Sequence, residues 1–274
     1  MKQRVRLLVF GCMGGILGSL IAETIEPKTE DEATATMMVI SCAVWFGIIA
    51  TLIAIFLRWS IALNCAHRFP TPRQIATSTV IGFVAGAIGG ALAQSAYMLF
   101  EDGFVKRVVV RILCWGVSGG FLGILLSQGV PNLRPWRGGI FGILGGIAGG
   151  AVLVGIFELA EGDSVLARVL AIATTGSILG LSIAIADAVE ARRGAYIEVN
   201  YSPKESVRIT LGATPITFGG TASDTVYMKG FGSGSLVISL KAGKVFARQS
   251  GTNDIALGAK SLISIGTTTI RIHC

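Results

Sequence analysis

The chain is poor in almost everything that a soluble enzyme uses. Charged residues make up 14% of its 274 positions, against about 25% in ordinary globular domains. Histidine occurs only at His67 and His273, and the five cysteines form no CxxC pair: Cys12, Cys42 and Cys114 fall inside apolar runs, Cys65 sits in a basic segment, and Cys274 is the last residue. A zinc site needs clustered ligands, so no metal is expected, and neither is a disulfide framework. Asp224 and Asp254 have no acidic partner nearby in sequence, and the GxGxxG-like runs lie inside apolar stretches, not between a strand and a helix. Catalysis and cofactor chemistry are therefore not expected. The net charge is +7, yet no basic run is long enough, or interleaved with aromatics, to follow a nucleic-acid backbone.

What is abundant is apolar length. The hydrophobic fraction is 52% and the mean hydropathy is +0.70. Six nearly charge-free stretches run from Leu7 to Ala22, Ala35 to Leu57, Ile75 to Phe100, Ile112 to Gly129, Gly138 to Phe157 and Val169 to Ala186. About 30 Å of hydrocarbon needs roughly 20 such residues, so each is expected to cross a bilayer as a helix. The first follows Lys2, Arg4 and Arg6 without a small-residue cleavage site and reads as a retained signal anchor.

Loop charge sets the expected orientation. The N-terminus, the loop with Arg58, Arg68 and Arg73, the turn with Arg134 and Arg137, and the exit at Arg192 and Arg193 are basic. The loops between them carry Glu23, Glu26, Glu30, Asp31 and Glu32, then Glu101 and Asp102, then Glu158, Glu161 and Asp163. By the positive-inside rule both termini should be cytoplasmic. The segment from Arg58 to Arg73, with Phe69 and two prolines, reads as a loop with a short interfacial piece. Trp45, Trp59, Trp115 and Trp136 read as interfacial anchors.

A repeat of about 65 residues underlies the six spans. Arg6, Arg73 and Arg137 each precede a glycine-laced odd-numbered span. The glycines are Gly11, Gly14, Gly15 and Gly18; then Gly82, Gly86, Gly89 and Gly90; then Gly142, Gly145, Gly146, Gly149 and Gly150. Spacings of three and four predict one glycine face per helix, as lipid-embedded helices need for close backbone approach. The same faces could join copies of the chain in a homo-oligomer. Gln94 is the most polar residue deep in the third span. Thr174, Thr175, Ser118 and Ser41 are expected to bond back to their own helices.

After Arg193 the pattern changes to short runs of period two or β-branched composition. They lie at Tyr196 to Val199, Val207 to Leu211, Ile216 to Phe218, Val226 to Met228, Leu236 to Leu240, Val245 to Arg248, Ile255 to Leu257, Leu262 to Ile265 and Thr269 to Ile272. Turn residues separate them, as at Gly219-Gly220, Ala242-Gly243 and Asn253-Asp254. The expected fold class is a membrane all-α bundle of three pseudo-repeated hairpins over residues 1–190. An all-β sandwich over 195–274 follows it.

The succession Ile209 to Leu211, Pro215 to Gly219, Gly232 to Leu236, Gly251 to Asp254, Leu262 to Gly266 and Ile270 to Ile272 resembles a compact forkhead-associated domain. The whole arrangement resembles bacterial membrane proteins in which glycine-rich hairpin repeats precede such a domain. The resemblance implies a location in the bacterial inner membrane and phosphothreonine-peptide binding through loops at one end, here Gly219, Gly220, Ser233, Ser235 and Asn253. The phosphate-reading pattern is degenerate, however. Gly219-Gly220 stands where the family has Gly-Arg, and Ser233 is followed three residues later by Leu236, where the family has His. The expected function is a membrane scaffold that docks a cytoplasmic protein partner in signalling or complex assembly. The alternative is an oligomeric channel or lipid-handling assembly, with the β domain oligomerising or gating.

Overall fold

The computed structural model describes residues 3–25, 34–66, 68–99, 104–159, 165–202, 205–221, 224–265 and 268–274. The acidic loop residues Glu26, Glu30, Asp31, Glu32, Glu101, Asp102, Glu161 and Asp163, together with His67 and Gly266, lie outside them. The described residues form six helices, α1 (Gln3–Glu23), α2 (Ala35–Ala66), α3 (Pro72–Leu99), α4 (Phe104–Ser127), α5 (Pro135–Leu159) and α6 (Val165–Arg193). Each is long and apolar enough to span a membrane, which makes this a multi-pass membrane protein. Large apolar side chains such as Leu17, Phe83, Leu92, Phe121, Leu144 and Leu170 face outward, as lipid contact requires.

Helix starts follow local chemistry. Thr71 and Gln74 form a capping box ahead of α3: the Thr71 N–H donates to Gln74 Oε1 at 2.9 Å and the Gln74 N–H to Thr71 Oγ1 at 3.3 Å. Pro72 and Pro135 open α3 and α5, where a missing N–H costs nothing. One segment departs from the sequence reading. Residues 58–66 are not loop but the last turns of α2, because Ile61, Ala62 and Cys65 on that extension are buried.

Each helix packs on its neighbours in the chain, and α6 closes the ring onto α1. The odd helices repeat one nine-residue pattern, G-x-x-[GA]-G-x-x-G-[SG], at residues 11–19, 82–90 and 142–150. The glycines do not form one face per helix; they form two. Gly11 and Gly15 lie on Gly176 and Ile172 of α6, Gly82, Gly86 and Gly90 on Thr51, Phe46 and Cys42 of α2, and Gly142 and Gly146 on Gly119 and Trp115 of α4. The other set turns to the following even helix: Gly14 and Gly18 to Ile53 and Ile49 of α2, Gly89 to Ser118 of α4, and Gly145 and Gly149 to Ser182 and Thr175 of α6. Each odd helix sits between two even ones and needs small residues toward both. In the middle, α4 touches both α2 and α6. Ile49, Ile53, Leu57, Leu126, Ile172 and Ile183 are almost completely buried within the bundle core.

Two further expectations are corrected. Trp115 is only 7% exposed and packs tilted against Phe46 inside the bundle, because Gly146 and Gly150 leave room for it against α5; it is not an interfacial anchor. Ser118 bonds the Ala85 carbonyl of α3 at 3.4 Å, not its own helix, because Gly89 leaves its hydroxyl space to cross over. Thr174 and Thr175 do return bonds to their own helix, and Thr175 also reaches the Gly149 carbonyl at 3.1 Å.

The second part holds strands β1 (Tyr196–Ser202), β2 (Glu205–Thr210), β3 (Ile216–Gly219), β4 (Val226–Tyr227), β5 (Leu236–Lys241), β6 (Lys244–Gln249), β7 (Ile255–Leu257), β8 (Leu262–Ile265) and β9 (Thr268–His273). They form two sheets, ordered β2-β1-β9-β8 and β4-β3-β5-β6-β7. Alternate residues point inward: Ile197, Val199, Ile270 and Ile272 from one sheet meet Ile216, Phe218, Ile238 and Val245 from the other. Ala242 and Gly243, at φ 47° and 76°, make the two-residue turn between β5 and β6, a primed turn that suits the strand twist.

Candidate functional site

The β domain stands on one end of the bundle with its β2 and β4 edge against α2 and α6. Asn132, in the turn between α4 and α5, is the clamp. Its Nδ2 donates to the carbonyls of Thr210 and Thr214 at 2.9 and 3.1 Å, and its Oδ1 accepts from the Thr214 N–H at 3.0 Å. Asn132 adopts φ 59°, a left-handed conformation that asparagine tolerates better than most residues. Gly212 makes the contact feasible, because a Cβ there would sit 2.8 Å from Asn132 Oδ1. On the same end of the bundle, Arg137 pairs with Glu190 of α6. Arg168 pairs with Glu23 at 2.7 Å, joining α6 to α1 at the other end.

Away from the clamp, three loops of the β domain gather. Asp224, 3% exposed, is their organiser: its Oδ2 accepts from the Thr221 N–H at 2.9 Å and the Thr221 hydroxyl at 2.6 Å, and its Oδ1 from the Gly234 N–H at 3.0 Å. Thr221 reaches Ser233 at 3.2 Å, and the Ser250 N–H reaches the Ser235 carbonyl at 3.1 Å, so the third loop abuts the second. Gly219, Gly220 and Ser233 are therefore brought together around Asp224. Ser235 bridges to the loop that carries Asn253, which is exposed, and no contact joins Asn253 to Asp224 among the described residues. A Cβ at Gly219 would lie 2.5 Å from Asp224 Oδ2, and one at Gly220 would run into the Phe231 carbonyl oxygen.

Burial pushes the Asp224 carboxyl upward. The hydrogen bonds from Thr221 and Gly234, with the charge of Arg68, outweigh that and hold it below the usual carboxylate range. A carboxyl depressed in the folded state contributes stability above its unfolded value of about 3.9 and loses it as pH falls through the folded value. Asp224→Asn should therefore cost about 2 kcal/mol at neutral pH, since the new amide faces the Thr221 donors. As pH falls below about 4, the stability of this variant in thermal unfolding should fall less steeply than that of the parent, read on the full chain in detergent. Asp254, exposed on the third loop, is held low by its 2.5 Å contact with Lys241.

Asn132 is absent from the sequence reading, and Asp224 figures there only as an aspartate without an acidic partner. For Asn132 the signal was the Pro131-Asn132 dipeptide, a turn with a left-handed-tolerant residue. Comparisons with protein families, with curated proteins and with solved structures find no match to this chain. Its class rests on its own architecture, a multi-pass helical bundle followed by a two-sheet β domain.

Proposed function

We propose that this protein is a membrane-anchored scaffold whose β domain docks a protein partner on the cytoplasmic side of a bacterial inner membrane. The domain is read as a degenerate forkhead-associated module that recognises a protein surface in place of a phosphate. Supporting that reading, Asp224 already takes the loop donors that an incoming anion would use, and Gly220 has no room for an arginine beside the Phe231 carbonyl. The basic ends of the helices on the β-domain side, with Arg58, Arg73, Arg134 and Arg192, support the cytoplasmic assignment.

The observation that carries the docking role is the placement of exposed apolar groups. The β2 and β4 edge faces the bundle, while β7 and β8 are the opposite edge strands of the two sheets, and they present Ile255 at 61% and Leu262 at 57% exposure. Free strand edges with apolar side chains are what protein partners bind and what soluble domains otherwise cover. The channel alternative draws no support from the bundle, whose interior is packed with aliphatic side chains. Capture of the full chain from gently solubilised membranes tests the proposal. Ile255→Glu with Leu262→Glu should leave the fold intact and remove the co-purifying partners; an unchanged set of partners would count against docking at this edge.

A further inference from the structure

Between the bundle and the β domain lies a cavity of about 300 Å³. Arg58 and Arg68 line it from α2 and the segment after it, Gln74 from α3, Gln128 from the turn after α4, and Thr214 and Thr225 from the β domain. Arg58 Nη1 and Arg68 Nε are buried atoms without a hydrogen-bond partner among the described residues. Asp224 also lines the cavity, but its two oxygens are taken up by Thr221 and Gly234. Among the described lining residues, one carboxylate stands against two guanidinium groups, an excess of positive charge that arginine cannot relieve by shedding its proton. Water would satisfy the donors without answering the charge.

Arg58 is also fixed in place. Arg58 rides on the face of α2 that carries Ile61, Ala62 and Cys65, all buried, and its guanidinium lies against Gly129, where a Cβ would collide with Nη1. Trp59, next in sequence, clusters with Phe10, Phe56 and Phe69, the kind of aromatic group that settles at headgroup depth. Gln74 spends its Oε1 on the capping box, which leaves its amide N–H groups to donate.

We propose that this cavity binds an oxyanion of the phosphate class, held by Arg58 and Arg68 with Gln74 as a neutral donor, and that the bound anion fastens the β domain to the bundle. The planar fork of guanidinium matches phosphate oxygens and tolerates burial better than ammonium. At about 30 Å³ per water, the cavity admits a phosphoryl group together with several waters. The anion is either the phosphate of a lipid headgroup or free inorganic phosphate. The site is separate from the β7 and β8 edge, so it stands or falls independently of partner docking.

Thermal unfolding of the full chain tests this in two settings, both in a phosphate-free neutral detergent: inorganic phosphate against chloride at equal ionic strength, and micelles with or without added phosphatidylglycerol. The decisive variant is Gln74→Glu. It keeps the capping box, since glutamate serves that role equally, and places a carboxylate on the cavity wall. It should unfold at or above the parent temperature without added anion and bind the anion at least roughly tenfold more weakly. Arg58→Gln with Arg68→Gln should abolish the response. Stabilisation by phosphate in detergent identifies a soluble ligand, and stabilisation by phosphatidylglycerol alone identifies a lipid. If neither raises the unfolding temperature of the parent more than that of Gln74→Glu, the proposal is overturned.

Discussion

Gly142→Leu or Gly146→Leu is expected to abolish recovery of monodisperse protein from membranes, while Gly155→Leu on the same helix is expected to have no effect. A Cβ at Gly142 would fall on the Gly119 carbonyl oxygen, and one at Gly146 on that of Trp115. Backbone cannot rotate aside as a side chain can, so α4 and α5 would have to separate along their length. Ordinary overpacking costs about 1 to 3 kcal/mol. Prising apart two ladder-packed helices should exceed about 4 kcal/mol, a large part of a typical total stability of 5 to 15 kcal/mol. Gly155 has nothing within 4 Å and is exposed, so leucine there simply meets lipid. Gly89→Ala should fall between the extremes, because the obstacle is the Ser118 hydroxyl, which can turn away at the loss of its bond to Ala85. Fluorescence-detected size exclusion of the solubilised variants ranks the series, and equal behaviour of Gly146→Leu and Gly155→Leu would contradict the packing described here.

The second large effect is expected at Asn132. Asn132→Ala removes three hydrogen bonds to the β domain, each worth about 1 kcal/mol net. It also puts alanine in a left-handed conformation at a cost of about 1 to 2 kcal/mol. Together these amount to about 4 kcal/mol, or roughly a thousandfold shift toward an undocked β domain. Asn132→Gly loses the bonds but keeps the backbone at ease, so its effect should be smaller. Amide exchange at residues 211–214 reports it: protection should fall most in Asn132→Ala and less in Asn132→Gly, while the paired strands β5 and β6 keep theirs. Protection at 211–214 that is unchanged in Asn132→Ala would mean that the clamp holds nothing.

The elements were legible because their signals are local. Six apolar runs and nine period-two segments each declare themselves within a few residues, and the observed helices and strands fall where those patterns lie. What was not legible depends on partners far away in the chain. The glycines of one helix look like a single stripe until two neighbours are known to flank it, and Trp115 looks like an anchor until α5 is seen to receive it. The extension of α2 past Arg58 depends on burial by elements distant in sequence, whereas charge and proline content alone point to a loop. Asp224 appeared isolated because its partners are backbone N–H groups and a hydroxyl, which carry no signature in sequence. In sequence Arg58 and Arg68 carry only a topology signal, although each also reaches a cavity shared with the β domain.

The central claim is that a lipid-embedded bundle holds the β domain in one fixed pose, so that the β7 and β8 edge is always offered to the same direction. Spin labels at Ile75 and Asn253, both exposed and on opposite sides of the junction, measure this directly by double electron–electron resonance in nanodiscs. A single narrow distance population is predicted, broadening in Asn132→Ala. A broad distribution in the parent, indifferent to that substitution, would contradict the claim.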